Sequence, residues 1–319
     1  MTNDPAPLPA QGAILLIDKA EGWTSHDVVA KSRRALGTRK VGHAGTLDPM
    51  ATGLLVLGAG PSTRLLTHLV GLEKTYVTTI RLGSATVTDD REGERISAAT
   101  PEQIAAVTRE RIIAAAATLT GDIEQAPSAV SAIKVDGRRA YDRVRSGETV
   151  ELKKRPVTVY AFELGDPVRT TDESGAEVVD IDATVRCSSG TYIRALARDL
   201  GALLDVGGHL TALRRTHVGP FDVTGAAAAA ELADGGPLPL LHPTSVATAL
   251  FPRIDLTESQ SVDLGNGKKV VIDAEGGTDH DAPLVAAVGP GERLVGLVEV
   301  KRGRLRAITN FPVVQEAAQ

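Results

Sequence analysis

The stretch from Gly42 to Gly53, GHAGTLDPMATG, is too irregular to form a helix or a strand. Its glycines at 42, 45 and 53 permit a positive φ or a close backbone approach, and Pro49 favours an extended conformation at Asp48. The fold must therefore include a shaped loop between two regular elements, and this loop presents one carboxylate in a fixed direction. Because Asp-Pro pairs are common in turns, an ordinary turn residue is the alternative interpretation of Asp48.

Short apolar runs and helical segments alternate around this loop. The run Gly12–Asp18 is mostly apolar, which is typical of a buried strand, and Thr24–Asp27 has a capping pattern that predicts the start of a helix. A helix is also predicted from Tyr192 to about Leu204, and the alanine run Gly225–Ala230 is expected to begin another. Since these elements follow no strict βαβ rhythm, the sequence favours an α+β fold with largely antiparallel strands.

The length of 319 residues is compatible with more than one domain. Residues 1–11 are expected to form a flexible N-terminal tail, because they are polar and rich in proline. Residues 12–243 are predicted to form one large domain. Residues 251–319 contain short strand-like runs separated by glycine turns, which predicts a small β-rich domain.

The average composition disfavours nucleic-acid binding, because the net charge is −5 and only 3% of the residues are aromatic. The charges are, however, unevenly distributed. Every charged residue between Val28 and Leu47 is a lysine or arginine, whereas acidic residues are concentrated at 163–182 and 255–292. A basic surface is therefore compatible with the acidic average.

Other features limit the compartment and the cofactors. Cys187 is the single cysteine, so an intramolecular disulfide is excluded and a reducing compartment is expected. With no signal-peptide pattern and no apolar run near the ~18 residues of a membrane helix, we expect a cytoplasmic protein without membrane association. The seven histidines lack neighbouring ligands at metal-binding spacing, so no metal is expected.

Several strings in this order resemble the TruB family of bacterial tRNA pseudouridine synthases, which modify uridine 55 in the T loop. The strings are GHAGTLDPMATG, KTY at 74–76, PSAVSAIKVDGRRAY at 127–141, CSSGTYIRALARDLG at 187–201 and LTALRRTHVG at 210–219. The resemblance extends from about Gly12 to Phe221, and the C-terminal segment is a looser match to a PUA-type domain. It implies a catalytic domain on a mixed, largely antiparallel sheet with flanking helices, a PUA-like C-terminal domain, and an RNA-embracing insertion at 124–152.

The resemblance also implies a reaction. Uridine becomes pseudouridine when the glycosidic bond breaks and the base rejoins through C5, which requires neither cofactor nor metal. Asp48 matches the catalytic carboxylate, as a nucleophile or as an electrostatic and proton-transfer participant. Arg194 matches the arginine that pairs with it, Tyr76 the tyrosine that stacks on the base, and Tyr192 a second tyrosine that faces the ribose and uracil.

Further matches concern substrate binding. Leu213 corresponds to the leucine that lines the uracil pocket, and His43 is expected to stack in the position that the flipped base leaves. Gly42 and Thr46 are expected to contact the substrate, and Lys19 to have a structural role close to the RNA. The implied partner is the T stem-loop of tRNA, bound by a monomer.

Two other classes of function are kept as alternatives. A non-catalytic tRNA-binding or tRNA-folding protein would use the same basic surface, but it has no need of the Asp48 carboxylate, which repels phosphates. A glycoside hydrolase would be expected to show a second carboxylate motif, which the sequence lacks.

Overall fold

The computed structural model describes residues 8–128, 153–234, 238–272 and 282–311, with the backbone of 134–135 and 138–139. Most of the segment predicted to embrace RNA, 124–152, thus lies outside the described residues. The strands are β1 (Ala13–Lys19), β2 (Val41–His43), β3 (Thr52–Ala59), β4 (Lys74–Leu82), β5 (Ser84–Thr86), β6 (Arg95–Ala98), β7 (Gly121–Gln125), β8 (Lys134–Val135), β9 (Arg138–Arg139), β10 (Arg155–Leu164), β11 (Val168–Thr171), β12 (Glu177–Cys187), β13 (Gly208–Val218), β14 (Phe221–Asp222), β15 (Ala227–Ala228), β16 (Leu240–Leu241), β17 (Arg253–Asp255), β18 (Val270–Val271), β19 (Ala282–Gly289), β20 (Arg293–Lys301) and β21 (Arg304–Asn310).

The α-helices are α1 (Ser25–Ala35), α2 (Leu66–Val70), α3 (Pro101–Ala105), α4 (Arg109–Thr118), α5 (Ile193–Leu204), α6 (Glu231–Asp234), α7 (Pro243–Leu250) and α8 (Glu258–Gly265). Short 3₁₀ helices span Gly60–Leu65, Val223–Gly225 and Pro290–Glu292. None of the helices in the described ranges is both long enough and apolar enough to cross a membrane.

The chain divides into two compact units. Unit 1 comprises Met1–Pro49, Leu54–Val70 and Pro220–Gln319, and unit 2 comprises Met50–Gly53 and Gly71–Gly219. Both units are therefore discontinuous in sequence.

The sheet of unit 2 has the strand order β13, β4, β12, β10, β7. All four of these pairings are antiparallel, whereas the start of β3 pairs in parallel with β13, with Thr52 opposite Arg214 and Gly53 opposite Arg215. Gly53 has a φ of 98°, and a Cβ at this position would overlap the Arg215 carbonyl group. The predicted mixed, largely antiparallel sheet is thereby confirmed.

One face of this sheet is covered by α5, which packs against β13 and β4. The helix buries apolar side chains at a spacing of three or four residues, namely Ile193, Leu196, Leu200 and Leu204. It ends at Asp205, which adopts the left-handed conformation with a φ of 61°. The predicted helix after Tyr192 is confirmed.

Within unit 1, β1 lies between β15 and β3 in the strand order. The prediction that the alanine run begins a helix is wrong, because Ala227 and Ala228 form a short strand parallel to Ile17 and Asp18 of β1. The strand pairing with β1 outweighs the helix propensity of alanine, which is a weak preference. The capped helix predicted at Thr24 is confirmed as α1, with a capping box formed by Thr24 and Asp27.

Unit 1 also contains a second sheet, with the order β17, β19, β20, β21, β18. Its core consists of buried aliphatic residues, Ile254, Leu256, Leu264, Val270, Val285, Ala287, Val295, Val298, Val300 and Leu305. Within the same unit, Gln11 donates from Nε2 to the Leu294 carbonyl at 2.9 Å and accepts from the Leu294 N–H at 3.1 Å. The predicted β-rich character of the C-terminal region is confirmed.

Candidate active site

Asp48 lies in a loop whose backbone is fixed on both sides of this residue. Before it, the buried Ser25 hydroxyl accepts from the Leu47 N–H at 2.9 Å and donates to the Leu47 carbonyl at 3.1 Å. After it, the Pro49 carbonyl accepts from the Gly22 N–H at 2.9 Å and from Lys19 Nζ at 3.2 Å. Asp48 itself is half-buried, and the backbone that bears its carboxylate is held on both sides within unit 1.

Lys19 is completely buried at the end of β1. Its ammonium group donates to the carbonyls of Trp23 at 2.6 Å, Ala20 at 3.0 Å and Pro49 at 3.2 Å. Burying an ammonium group is costly unless its protons are hydrogen-bonded, and these three acceptors provide that compensation. The contacts fit the structural role expected of Lys19.

The other candidates in unit 1 lie on β2 or in the loop that follows it, so the prediction that the whole stretch from Gly42 is irregular is wrong at its first two residues. His43 ends β2 and makes an edge-on contact with His26, with ring centroids 6.1 Å apart. Gly42 precedes it on β2 opposite Gly58, and Thr46 is exposed in the loop. All three are on the segment that presents Asp48.

Tyr76 and Leu213 occupy neighbouring strands of unit 2. Tyr76 lies opposite Arg215, and Thr78 lies opposite Leu213. This antiparallel register puts Tyr76 and Leu213 at diagonal positions on one face, where side chains are close enough to interact. Both side chains are buried, at 8% exposure.

Lys74 precedes Tyr76 by two residues on the same buried face of β4. Its Nζ donates to the Leu72 carbonyl at 2.6 Å. Desolvation, with a further contribution from the positive charge of Arg215, lowers the pKa of Lys74 from 10.5 to about 8. A buried lysine thus lies close to Tyr76, the residue predicted to stack on the base.

Tyr192 is the N-cap residue of α5, and its side chain makes no capping hydrogen bond. Its backbone is instead bound by Gln125 at the end of β7. The Tyr192 N–H donates to Gln125 Oε1 at 2.8 Å, and Gln125 Nε2 donates to the Tyr192 carbonyl at 3.0 Å. The position of Tyr192 therefore depends on a residue 67 positions earlier in the chain.

Arg194, in the first turn of α5, forms a buried ion pair with Asp90. Its Nη1 lies 3.0 Å from Asp90 Oδ2 and donates to the Thr88 carbonyl at 2.6 Å. The side chains of Arg194 and Asp90 are only 6% and 3% exposed. Asp90 also accepts from the Glu92 N–H at 3.0 Å, so the carboxylate that holds Arg194 is itself fixed by a turn.

A second ion pair lies one helical turn further along α5. Arg198 Nη1 is 3.2 Å from Asp89 Oδ2, and Arg198 Nη2 donates to the Ala126 carbonyl at 2.9 Å. Burial raises the pKa of Asp89, and Arg198 partly opposes this shift. Because Asp89 adopts a φ of 59°, the turn presents two successive carboxylates to two arginines of one helix face.

The structure thus groups the predicted residues within each unit. Lys19, Gly42, His43, Thr46 and Asp48 belong to unit 1, whereas Tyr76, Tyr192, Arg194 and Leu213 belong to unit 2. The pairing of Arg194 with Asp48, which the family resemblance implies, stays a prediction.

The sequence interpretation missed Asp90, Asp89 and Gln125. A signal for the first two was present, because two adjacent aspartates begin the turn DDREG and two arginines lie four residues apart on the predicted helix. Gln125 had no comparable signal. Among the described residues, no cluster of three or more His, Cys, Asp or Glu side chains could hold a metal ion.

Comparisons with known proteins identify relatives along most of the chain. Residues 33–193 match the family described as "TruB family pseudouridylate synthase (N terminal domain)". Residues 194–235 match "tRNA pseudouridylate synthase B C-terminal domain", and residues 251–312 match "tRNA Pseudouridine synthase II, C terminal". The resemblance recognised in the sequence is thereby confirmed.

Individual relatives agree with these matches. The chain is 57% identical to the tRNA pseudouridine synthase B of Leifsonia xyli subsp. xyli, over 94% of this chain and 96% of that protein. It is 52% identical to the Arthrobacter sp. protein of the same name, over 93% and 96% of the two chains.

A solved structure shows the same fold at lower identity. A chain of the H/ACA RNP bound to a substrate RNA containing 2'-deoxyuridine is 22% identical, with a TM-score of 0.66 over 94% of this chain and 85% of that chain. The predicted fold class is therefore confirmed. With its family matches and close relatives, the chain belongs to the TruB family of pseudouridylate synthases.

Proposed function

We propose that this protein is a tRNA pseudouridine synthase that isomerises uridine 55 in the T loop, with Asp48 as the catalytic carboxylate. In this reaction the N1–C1′ bond breaks, the base turns, and a C5–C1′ bond forms. The hydrogen at C5 is released and N1 gains a proton, so the product is an isomer of the substrate.

The observation that carries the proposal is the anchoring of Asp48 on both sides. Its two neighbours along the chain are hydrogen-bonded to Ser25, Gly22 and Lys19, which limits the movement of the backbone that bears the carboxylate. A carboxylate that acts as a nucleophile, or that stabilises charge and transfers a proton, must be held in this way at the reacting carbon.

The remaining candidates have complementary roles in the proposal. Tyr76 stacks on the flipped base and Leu213 lines the uracil pocket, which agrees with their diagonal positions on one sheet face. Tyr192 faces the ribose and uracil. Arg194 takes the role that the family resemblance implies, as the arginine that pairs with the catalytic carboxylate, and Asp90 fixes the direction of its guanidinium.

In the proposal, RNA binds to the basic segment between Val28 and Leu47, which includes most of α1, and to the loop that carries Asp48. Taking a stacked base out of the T loop costs roughly a few kcal/mol, and stacking of His43 in the vacated position offsets part of that cost. Gly42 and Thr46 contact the substrate. The proposal needs only the T stem-loop as RNA and a monomeric protein.

The test is tritium release from a T stem-loop RNA that carries [5-³H]uridine. Attachment at C5 must expel the label, so wild-type protein without added metal or cofactor is expected to release it. Asp48→Asn is expected to abolish release while the affinity for RNA is nearly unchanged. If the wild type binds the RNA without releasing tritium, the non-catalytic RNA-binding function replaces this proposal.

A further inference from the structure

Gln125 provides an unusual cap for helix α5. In α1, α3 and α8 the third helical residue accepts a hydrogen bond from the N-cap N–H, which completes a capping box. In α5 that position is Ala195, which has no acceptor. The Gln125 amide replaces it from β7, because its Oε1 accepts from the Tyr192 N–H at 2.8 Å.

The same amide also donates to the Tyr192 carbonyl at 3.0 Å. This carbonyl already accepts the first helical hydrogen bond, from the Leu196 N–H at 3.2 Å. Tyr192 is therefore bound through both of its backbone polar groups by one buried side chain, which is 2% exposed. The Tyr192 N–H and carbonyl belong to the two successive peptide groups that flank its Cα. Two simultaneous hydrogen bonds to them therefore fix the orientation of the Tyr192 backbone as well as its position.

The residues that follow Gln125 are attached to the same elements. Arg198 of α5 donates to the Ala126 carbonyl at 2.9 Å, and the Ser128 hydroxyl donates to the Thr88 carbonyl at 3.1 Å. Thr88 also accepts from Arg194. The exit of β7 is thus held against the first turns of α5 and against the turn that carries Asp90.

We propose that Gln125 is a positioning residue for the pseudouridine-forming reaction, and that it acts by fixing the backbone of Tyr192 so that the tyrosine ring meets the substrate in a productive orientation. This inference rests on the function proposed above. A displacement of about 1 Å at a reacting group can reduce the rate by about 100-fold, so the loss of two hydrogen bonds at this position should affect the chemical step more than RNA binding.

The first experiment replaces Gln125 by Met, which has a similar length but forms neither hydrogen bond. Tritium release is measured in single turnover with enzyme in excess over the RNA, and RNA affinity is measured separately. We expect the rate at saturating enzyme to fall roughly 10- to 100-fold, with RNA affinity changed by less than about threefold. An unchanged rate in Gln125→Met overturns the inference.

Gln11 provides a matched control. It binds both backbone polar groups of Leu294 with nearly the same geometry, at 2.9 and 3.1 Å, but it belongs to unit 1 and the proposal gives it no part in the reaction. Gln11→Met is expected to keep the wild-type rate after correction for the folded fraction. If both variants lose activity in proportion to their loss of stability, Gln125 has a merely structural role and the inference is overturned.

A double-mutant cycle separates positioning of Tyr192 from general support. In a Tyr192→Ala background the ring to be positioned is absent, so Gln125→Met should reduce the rate much less than it does in the wild type. Equal effects in the two backgrounds overturn the inference.

Gln125→Glu adds a readout based on pH. Burial raises the pKa of a carboxyl group, and the protonated carboxyl of this variant can donate to one Tyr192 group and accept from the other, as the amide does. The rate of this variant, divided by the wild-type rate at the same pH, should therefore increase as the pH is lowered from about 8.5 to about 6. The same ratio for Gln125→Met should not change with pH. A flat ratio for the Gln125→Glu variant overturns the inference.

The outcomes also distinguish this inference from the function on which it rests. If wild-type protein releases no tritium, the proposed function fails and the positioning role falls with it. If the wild type is active and Gln125→Met releases tritium as fast as Gln11→Met does, the function stands and only the inference fails.

Discussion

Lys19 and Pro49 are joined by a hydrogen bond of 3.2 Å from the buried ammonium group to the carbonyl, across 30 positions of sequence. This bond connects the end of the first strand to the residue that directly follows Asp48. The shape of the loop therefore depends on a buried ammonium group that donates this hydrogen bond. An apolar side chain of the same length cannot form the bond.

Lys19→Met tests this dependence. The variant keeps the apolar part of the side chain but removes the charged donor of three hydrogen bonds, to the carbonyls of Trp23, Ala20 and Pro49, so we expect the free energy of unfolding to fall by about 3 kcal/mol. Tritium release should fall as well, because Pro49 loses one of its two anchors. Urea unfolding measures the first effect. Lys268→Met, which removes an exposed ion pair with Asp263, serves as the control and should remain within about 1 kcal/mol of the wild type.

Asp90→Asn should be strongly destabilising. It leaves the buried Arg194 guanidinium without its carboxylate, and breaking a buried ion pair at one partner typically costs about 3–5 kcal/mol. Denaturant unfolding measures this loss. The double variant Asp90→Leu with Arg194→Met should recover most of the stability, since an apolar pair can replace a buried ion pair, but it should not release tritium. Recovery of activity in the double variant would contradict the role proposed for Arg194.

Lys74 predicts a specific dependence of stability on pH. The folded protein loses the Lys74 proton near pH 8, whereas the unfolded chain keeps it up to the ordinary pKa of 10.5. Between these values the unfolded state binds more protons, so the free energy of unfolding rises with pH. This contribution is fully present above 10.5 and is lost as the pH falls through about 8.

The comparison with Lys74→Met isolates this effect. From about pH 7.5 to about pH 10, the wild type should gain as much as about 2–3 kcal/mol in unfolding free energy relative to the variant. Unfolding curves at several pH values provide the measurement. Lys268→Met should show a constant difference from the wild type over the same range, and a constant difference for Lys74→Met would contradict the prediction.

Gly53→Ala should weaken the parallel pairing between β3 and β13. A methyl group there overlaps the Arg215 carbonyl, and the φ of 98° is unfavourable for alanine, so we expect a loss of more than about 3 kcal/mol. Gly175→Ala is the matched control: its φ is 83°, but a Cβ there meets nothing within 4 Å, and the expected loss is about 1 kcal/mol. Thermal or urea unfolding of both variants distinguishes steric overlap from backbone strain alone.

The features that the sequence predicted correctly depend on local patterns. The capping sequence at Thr24 and the apolar spacing after Tyr192 specify helices without reference to the rest of the chain, and both helices are present. The alanine run was misinterpreted because its conformation is determined by pairing with β1, more than 200 residues away. Local propensity contains no information about such a partner.

The same reason explains what was missed near the candidate site. Asp90 and Arg194 are 104 positions apart, and Gln125 and Tyr192 are 67 apart. Each pair exists because the fold brings β7, the turn after β5 and the start of α5 together. The residue types suggested chemistry, but the folded backbone was needed to show that Asp90 pairs with Arg194 and that Gln125 binds Tyr192.

The link between Gln11 and Leu294 has a consequence for the order of events during synthesis. The two residues are 283 positions apart, so at about 5–20 residues per second a ribosome needs roughly 15–60 s to supply the second after the first. Unit 2 has all of its sequence once Gly219 is made. The half of the protein that contains Arg194 can therefore finish folding on the ribosome while the half that contains Asp48 still waits for its last sheet.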